Sequence, residues 1–280
     1  MLVFHSHCQM GNQMFIYACA RSLAKKRGQS YCLSNLDGLG SFELAPEDKL
    51  NAWKFLLFRI GNKSGLKKYR FFHYQDNRED YHRKMLEEKG SNLWYYGYFQ
   101  GENYLFDNLK DIKNCFTIKE SFRNQFQEVK KSLLGEKEVF AVHIRLRDYK
   151  TFGPDYLKGP DMTLPFDYYR KNIFENFNKE KQRLIFLSDD IKTVKKEFEN
   201  DFPEAWFSNQ SPMVDFQFLK DAKTAVISHS SFAWWAAILN NHSDKRIIVP
   251  RFFLGFKVAK EYPVNMIPST WEQKDVLKLT

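Results

Sequence analysis

Apolar runs of four to six residues recur through the second half of the chain, and helical patterns separate them. Such runs are typical of buried strands, and strands that alternate with helices predict a parallel α/β sheet. The strands are expected at 139–144, 183–188, 224–228 and 246–250, with a weaker one at 205–208. The helices between them are expected at 166–180, 190–200, 213–223 and 231–241.

The first half of the chain shows a less regular pattern of the same kind. A short strand at 1–5 precedes a predicted helix at 13–27, which carries cations in its last turn and Gly28 as its stop signal. Gly11 and Asn12 are expected to form the turn and cap before this helix. The remaining predicted elements are strands at 30–34 and 93–99 and a largely helical segment at 46–90.

A polar stretch at 130–137 marks the boundary between the halves, which predicts an N-terminal domain at 1–135 and a C-terminal domain at 136–280. The length of 280 residues is ample for two cores, and 43% hydrophobic residues is a globular composition. No internal repeat, signal-peptide pattern or long apolar span is visible, and the four cysteines are scattered. A cytoplasmic protein is therefore expected, or one peripheral to the inner face of a membrane.

The formal net charge of +9 indicates an acidic partner, namely nucleic acid, anionic lipid or a phosphorylated ligand. Residues 54–89 hold ten Lys/Arg against five Asp/Glu, interleaved with aromatic residues. This segment is interpreted either as a solvated helical face with a partly buried aromatic side or as a surface that docks on a membrane. RNA binding is disfavoured, because no RNA-binding signature appears in the chain.

Polar residues gather directly after four of the predicted strands. Ligands of open α/β sheets bind outside the carboxyl ends of the strands, so this repetition predicts a binding site at that edge. The four polar segments are 5–13, 143–148, 188–190 and 229–231.

The cluster of His143, Arg145 and Asp148 has two interpretations. It could be a local ion pair that closes a strand end. Alternatively, Arg145 follows the strand parity of His143, and a guanidinium there offers several fixed donors to a diphosphate. The phosphate interpretation is the one favoured here.

Two other clusters also combine structural and functional interpretations. Ser230 and Ser231 precede a helix, where they could cap it or help its N-terminus to bind an anion. Asp189 and Asp190 could cap a helix, accept hydrogen bonds from a guanine edge or hold a divalent metal. Metal is the weakest of these, because two carboxylates underdetermine an octahedral site. Zinc at residues 5–8 is disfavoured for lack of a second ligand pair, so no metal site is predicted.

Five motifs together resemble glycosyltransferase family 11, the α-1,2-fucosyltransferases. They occur in the family's order and span nearly the whole chain: "GNQMFIYA" (11–18), "GYFQGENYL" (97–105), "HIRLRDY" (143–149), "FLSDDI" (186–191) and "SHSSFAWWAAIL" (228–239). The resemblance implies a GT-B fold, with two Rossmann-like domains facing across a cleft. It also implies inverting, metal-independent transfer from GDP-fucose, which the C-terminal domain would hold while the N-terminal domain serves the acceptor.

The resemblance assigns roles residue by residue. Arg145 corresponds to the family arginine that grips the diphosphate, and Asn12 to an asparagine near the reacting centre. On that basis the predicted catalytic residues are Arg145, Asp148 and Asn12. The predicted donor-binding residues are His143, Arg145, Ser188, Asp189, Asp190, Ser230, Ser231, Phe232, Gly11, Asn12 and Gln13.

Two departures from the family pattern affect these roles. The family usually writes H-x-R-R-G-D-Y, whereas this chain has Leu146 and Arg147 in place of the second arginine and the glycine. Arg147 is a candidate substitute for the missing charge, although its side chain should point differently. The N-terminal loop usually reads G-G-L-G-N-Q, and "HCQMGNQ" lacks those first glycines, which hinders close backbone approach to a ligand.

The predicted function is transfer of L-fucose to the 2-hydroxyl of a terminal galactose, in lipopolysaccharide or O-antigen synthesis. The partners would be GDP-fucose and the glycan, with membrane contact through 54–89 and no nucleic acid. Candidates for the general base are Asp148, Asp155, His5 and His7. The alternatives are another nucleotide-sugar transferase on the same fold, a metal-dependent enzyme using the paired aspartates, and a basic RNA or membrane adaptor.

Overall fold

The computed structural model describes residues 1–74 and 79–276 and divides into two compact units. Unit 1 comprises Met1–Lys119 and the short return segment Tyr262–Met266. Unit 2 comprises Glu120–Glu261 and the chain from Ile267 onward. Within the described ranges, no helix combines the length and the apolar character needed to cross a membrane.

Unit 1 is built around a four-stranded parallel sheet. Its helices and strands are β1 (Leu2–Phe4), α1 (Met10–Arg27), β2 (Tyr31–Leu33), β3 (Phe42–Glu43), α2 (Asn51–Lys63), β4 (Arg70–Tyr74), α3 (His82–Glu87), β5 (Leu93–Gly97), α4 (Leu109–Cys115) and β6 (Thr117–Ile118). The strand order is β2-β1-β5-β4, and all three pairings are parallel. β3 and β6 form a separate antiparallel pair.

Helix α1 fills the core of unit 1, because most of its side chains are small or apolar and twelve of its eighteen residues are buried. It ends where the sequence predicts. Gly28 adopts the left-handed conformation with φ 60°, and its backbone N–H bonds back to the last turn, which carries Lys25, Lys26 and Arg27.

Unit 2 is built around a six-stranded sheet in which every pairing is parallel. Its helices and strands are α5 (Glu120–Leu134), β7 (Glu138–Ile144), α6 (Phe166–Asn176), β8 (Gln182–Ser188), α7 (Ile191–Phe198), β9 (Trp206–Phe207), α8 (Pro212–Lys220), β10 (Thr224–Ile227), α9 (Ser231–Leu239), β11 (Arg246–Pro250) and β12 (Glu272–Lys274). The central strands β7 and β10 are almost wholly buried, as expected where both faces of a parallel sheet are covered.

The strand order of unit 2 is β12-β11-β10-β7-β8-β9. This is the order of doubly wound nucleotide-binding folds, in which the chain starts at the centre, winds to one edge and then returns to wind to the other. The reversal falls between β7 and β10. The loops that follow these two strands therefore leave the same edge in opposite directions and open a crevice.

The predicted α/β, GT-B-like fold with two Rossmann-like units is confirmed. Every predicted strand is present, as are the four helices of the second half, each within a few residues of its expected bounds. Two local predictions are corrected by the structure. Residues 46–90 are helical at α2 and α3, but strand β4, which was not predicted, lies between these helices. Gly11 and Asn12 lie inside the first turn of α1 and do not form a turn before it.

The division between the units falls between Lys119 and Glu120, earlier in the chain than the predicted division at 135/136. Helix α5, to which the sequence analysis assigned no element, accounts for the shift. The carbonyl of Phe122, near the start of α5, accepts a hydrogen bond of 2.9 Å from Gln217 on α8. Phe126 of α5 packs edge-on against Phe218 of α8. This helix therefore packs with unit 2.

Candidate active site

The reversal in unit 2 brings two of the predicted polar clusters together at one edge of the sheet. His143 is paired with Ile227, the last residue of β10, so the residues that follow β7 and β10 emerge side by side. Tyr149 then joins the two loops, because its hydroxyl donates a hydrogen bond of 3.0 Å to the carbonyl of His229. The same ring lies beneath the guanidinium of Arg145, at 5.8 Å.

Arg145 lies just beyond the end of β7 between two carboxylates. Its Nε and Nη2 donate to the two oxygens of Asp148, at 2.8 and 2.9 Å, and Nε lies 3.4 Å from Asp189. Burial alone would lower the pKa of Arg145, but the bonds to Asp148 and the charge of Asp189 outweigh it and raise the pKa. The guanidinium is thus a fixed positive charge whose direction is set by its neighbours.

His143 is buried near the end of β7, one residue before its last, and contacts Ser228 and Phe232. Its Nδ1 lies 2.9 Å from the hydroxyl of Ser228, and its ring stacks on Phe232 at a centroid distance of 5.6 Å. Burial, reinforced by the charge of Arg145, lowers the pKa of His143 to about 3. His143 is therefore a neutral, 6% exposed imidazole that packs beneath the site and contacts the residues around the start of α9.

Asp189 uses both carboxylate oxygens to hold the loop that carries Arg145. It accepts hydrogen bonds from the backbone N–H of Leu146 at 2.9 Å and of Arg147 at 3.1 Å. These N–H groups lie beyond the last paired residues of β7 and β8, which are Ile144 and Ser188. Asp189 therefore continues the ladder with two side-chain hydrogen bonds and fixes the backbone immediately after Arg145.

Asp190 is the N-cap of α7, one of the three interpretations of this pair from sequence. Its carboxylate accepts from the backbone N–H and the hydroxyl of Thr193, at 3.4 and 2.8 Å. The Thr193 hydroxyl is the main reason that the pKa of Asp190 is lowered. The hydroxyl of Ser188 accepts from the N–H of Asp190 at 3.0 Å, so this segment is held by its own hydrogen bonds.

Ser230 is the residue before helix α9 and lies in an extended conformation, but its side chain makes no capping hydrogen bond. Ser231 and Phe232 form the first turn of the helix. Phe232 is sandwiched between His143 and the edge of Phe216, 5.2 Å away. The N-terminus of α9, which carries the positive end of the helix dipole, therefore lies at the same edge of the sheet as Arg145. The side chain of Ser230 does not cap it.

In unit 1 the Gly-Asn-Gln motif stabilises the loop after β1. Gln13 is buried, donates to the carbonyl of Cys8 at 2.9 Å and accepts from the N–H of Gly38 at 3.0 Å. Asn12 accepts a hydrogen bond of 2.9 Å from Gln100, which follows β5. These three bonds connect segments at the carboxyl edge of the unit 1 sheet, where β1 and β5 lie side by side.

A comparison with known proteins identifies the chain. The model of glycosyl transferase family 11 matches residues 59–253. The O-antigen biosynthesis glycosyltransferase WbnK of Escherichia coli is 30% identical, over 90% of this chain and 94% of the relative. The chain belongs to glycosyl transferase family 11, and it is a glycosyltransferase.

Two further similarities bear on this family-11 chain. An α-1,2-colitosyltransferase of Escherichia coli is 26% identical over 86% of the chain and 88% of its own length. The solved structure of NodZ α-1,6-fucosyltransferase soaked with GDP-fucose has the same fold, with a TM-score of 0.54 and 13% identity over 87% of this chain and 96% of that one.

The family-11 motif is altered at Leu146 and Arg147, and the structure shows the surroundings of these two side chains. Leu146 is buried at 3% exposure, so this position belongs to the core in the present chain. The side chain of Arg147 is exposed, and its backbone N–H is held by Asp189. The two positions therefore present their side chains to different environments.

The sequence analysis missed an aromatic cluster at the carboxyl edge of the unit 1 sheet. The rings of His7 and Tyr96 are parallel at 4.8 Å, His5 stacks on Tyr96 at 5.1 Å, and Tyr98 meets His7 edge-on at 4.9 Å. All four side chains are partly exposed. The alternation of Tyr96 and Tyr98 along β5 and beyond was the available signal, because it places both rings on one face.

Among the candidate bases, Asp148 accepts two hydrogen bonds from Arg145, whereas Nε2 of His7 is buried and has no hydrogen-bond partner among the described residues. Asp155 lies in a short 3-10 turn at residues 155–157. Within the described part of the chain, no group of three or more His, Cys, Asp and Glu side chains is arranged to hold a metal ion.

Proposed function

We propose that this family-11 chain transfers L-fucose from GDP-fucose to the 2-hydroxyl of a terminal galactose, with inversion and without a metal ion. The observation that carries the proposal is the position of Arg145, a guanidinium fixed at the strand-order reversal of unit 2, on the same sheet edge as the N-terminus of α9. This is where doubly wound sheets bind nucleotide ligands.

The chemistry required is stabilisation of the charge that builds on the β-phosphate as GDP leaves. Arg145 and the first-turn N–H groups of α9, which have no partners within the helix, are preorganised donors for that charge. Donors of this kind contribute roughly 3–4 kcal/mol each to the transition state. Asp148 and Asp189 hold the guanidinium in place, so that little reorganisation is needed during the reaction.

The acceptor is assigned to unit 1, where the cluster of His5, His7, Tyr96 and Tyr98 offers flat ring faces beside polar groups. Galactose presents an apolar C–H face that packs well on aromatic rings, and its hydroxyls need hydrogen-bond partners. Of the candidate bases, His5 and His7 belong to this cluster, whereas Asp148 is occupied by Arg145.

The similarity to the O-antigen biosynthesis glycosyltransferase WbnK and to the colitosyltransferase supports an O-antigen glycan as the acceptor. These similarities also favour a second candidate donor. One relative is a colitosyltransferase with the same α-1,2 linkage, and colitose lacks one hydroxyl that fucose carries. Discrimination between the two sugars would require a side chain bonded to that hydroxyl, since a missing hydroxyl otherwise changes binding little.

A donor panel tests the proposal. Purified protein is incubated with GDP-fucose, GDP-colitose or GDP-mannose and with galactosides that carry or lack a free 2-hydroxyl, in the presence of EDTA. We expect fucose transfer that requires the 2-hydroxyl and survives chelation. Exclusive use of GDP-colitose would establish the second candidate. Activity that disappears with EDTA and returns with manganese would contradict the metal-independent mechanism.

Arg145 provides the matching mutational test. Arg145→Ala should abolish transfer and weaken GDP binding about 100-fold, because two charged hydrogen bonds are worth roughly 3 kcal/mol together. Arg145→Lys should recover little, since a single ammonium cannot reproduce the fork. Arg170→Ala is the control, because Arg170 also binds three carboxylates in unit 2 but on α6. Calorimetry that finds normal GDP affinity in Arg145→Ala would refute the assignment.

A further inference from the structure

Helix α2 in unit 1 presents a row of large apolar side chains to solvent. We call this row the apolar ridge; its members are Leu50, which directly precedes the helix, and Trp53, Leu56, Leu57 and Ile60 on the helix. Trp53 is 67% exposed and Leu57 is 65% exposed. The spacing of three and four residues places them on one side of the helix, so they form a continuous stripe.

The opposite side of α2 already holds the helix on the sheet. Phe58 is buried and packs with Val3 and Cys32, while its ring meets Trp94 edge-on at 5.3 Å. An amphipathic surface helix normally turns its apolar stripe inward and its polar stripe outward. Helix α2 instead has two apolar stripes, one facing the sheet and one facing solvent. Only the stripe that faces the sheet is needed to hold the helix on it.

The surroundings of the ridge are strongly basic. Residues 49–70 contain seven Lys/Arg and no Asp/Glu. Arg59 and Lys63 flank Ile60, the last member of the ridge, and are exposed, and Lys67 and Lys68 come next to Leu66, which is 83% exposed. An apolar stripe flanked by exposed cations is the pattern of helices that lie in the interface of an anionic membrane.

We propose that the apolar ridge docks unit 1 onto an anionic lipid surface. In this arrangement α2 lies in the plane of the interface, the ridge enters the boundary between headgroups and acyl chains, and the cations meet lipid phosphates. A second copy of the chain is a poorer occupant, because a symmetric contact would bring the same basic flanks together. The proposal does not depend on the transfer reaction, since docking is measured without donor or acceptor.

Vesicle sedimentation measures the contribution of each feature. Wild type should bind vesicles of phosphatidylcholine with phosphatidylglycerol and bind pure phosphatidylcholine far more weakly. The double variant Trp53→Ser/Leu57→Ser should lose at least about tenfold in affinity, because two large side chains no longer leave water. Arg59→Gln/Lys63→Gln should lose about 25-fold, given roughly fivefold for each cation near the surface.

Matched controls come from unit 2. Phe174 is 64% exposed on α6, and Phe174→Ser should leave vesicle binding unchanged. Lys192→Gln/Lys195→Gln removes two exposed cations from α7 and should have little effect. Circular dichroism and the denaturation midpoint of each variant establish that the exposed substitutions leave the fold intact.

The depth of insertion is tested separately with brominated lipid, which quenches nearby tryptophan. Trp53 is the exposed tryptophan among the described ones, so wild type should be quenched, and Trp53→Phe should still bind but lose most of the quenching. Three results would overturn the proposal: no binding to anionic vesicles, equal binding by wild type and the ridge variant, or a dimer in sedimentation velocity that the ridge variant abolishes.

Discussion

Replacing Asp189 by asparagine distinguishes two functions for this carboxylate. From sequence it was a candidate to recognise the guanine base, yet the structure shows it bonded to the N–H groups of Leu146 and Arg147 and beside Nε of Arg145. If the second set of contacts is its function, Asp189 is a positioning residue for Arg145. Asp189→Asn keeps the size of the side chain and removes the charge and one acceptor oxygen.

The expected magnitude follows from these contacts. Hydrogen bonds to a charged group stabilise by about 1.5–3 kcal/mol each, and the Asp189 side chain is only 15% exposed, so solvent screens them little. An asparagine can satisfy one of the two N–H groups but turns its own NH₂ toward the other. We expect Asp189→Asn to lower the free energy of unfolding by about 2–3 kcal/mol.

The assay combines stability with base discrimination. Urea denaturation without ligand gives the free energy of unfolding, and calorimetry gives the affinities for GDP and IDP, which lacks the 2-amino group of guanine. A positioning role predicts that Asp189→Asn loses stability and binds both nucleotides more weakly, while the ratio of the two affinities stays as in the wild type.

Asp190→Asn is the matched control, since it alters the adjacent carboxylate and the cap of α7 but leaves the Arg145 loop in place. Loss of a cap costs about 1 kcal/mol, and asparagine is itself a good cap, so its effect on stability should be smaller. The reasoning is refuted if Asp189→Asn is as stable as wild type while its preference for GDP over IDP disappears. That result would restore guanine recognition as the function of Asp189.

Two further predictions concern a buried imidazole and a strained loop. The pKa of His143 is about 3 in the fold and about 6.5 when unfolded, so the unfolded chain takes up the proton first, and stability falls as pH drops below about 6.5. Between pH 7 and pH 5, urea titrations should show that wild type loses about 2 kcal/mol more than His143→Gln; parallel pH profiles would contradict this. Cys8 has φ 63°, where a β-branched side chain is strained, so thermal unfolding should show Cys8→Val destabilised by about 1–2 kcal/mol and Cys8→Gly near wild type; equal midpoints would contradict it.

Much of the fold was predictable because the central strands of unit 2, β7 and β10, are largely apolar. β7 and β10 are covered on both faces, so burial alone sets their pattern, and their bounds could be found without knowing their neighbours. Strand β4 was missed for the opposite reason. Its residues lie at an edge of the sheet and are largely exposed, so a basic and aromatic composition hid the strand among helical patterns.

The sequence was enough to predict a ligand-binding site at the carboxyl ends of the strands. It was not enough to predict the hydrogen-bond partner of each side chain there. The sequence placed Arg145 and Asp148 one turn apart, and their two-pronged bond agrees with the simpler of the two interpretations made from sequence. It could not show that β8 lies beside β7. Without that neighbour, Asp189 has no reason to contact Arg145, and a free carboxylate at a strand end looks like a ligand for guanine.

The contact of Asp189 with the β7 loop follows from how a parallel ladder ends. Ile144 and Ser188 are the last paired residues, and beyond them the N–H groups of Leu146 and Arg147 have no strand carbonyl to meet. Because Leu146 is buried, its N–H group cannot rely on water and needs a partner within the protein. A carboxylate one residue past the end of the neighbouring strand meets that need. The same geometry leaves Arg145, between the paired and the side-chain-bonded residues, as the position whose direction is fixed from both sides, which is what a diphosphate-binding guanidinium requires.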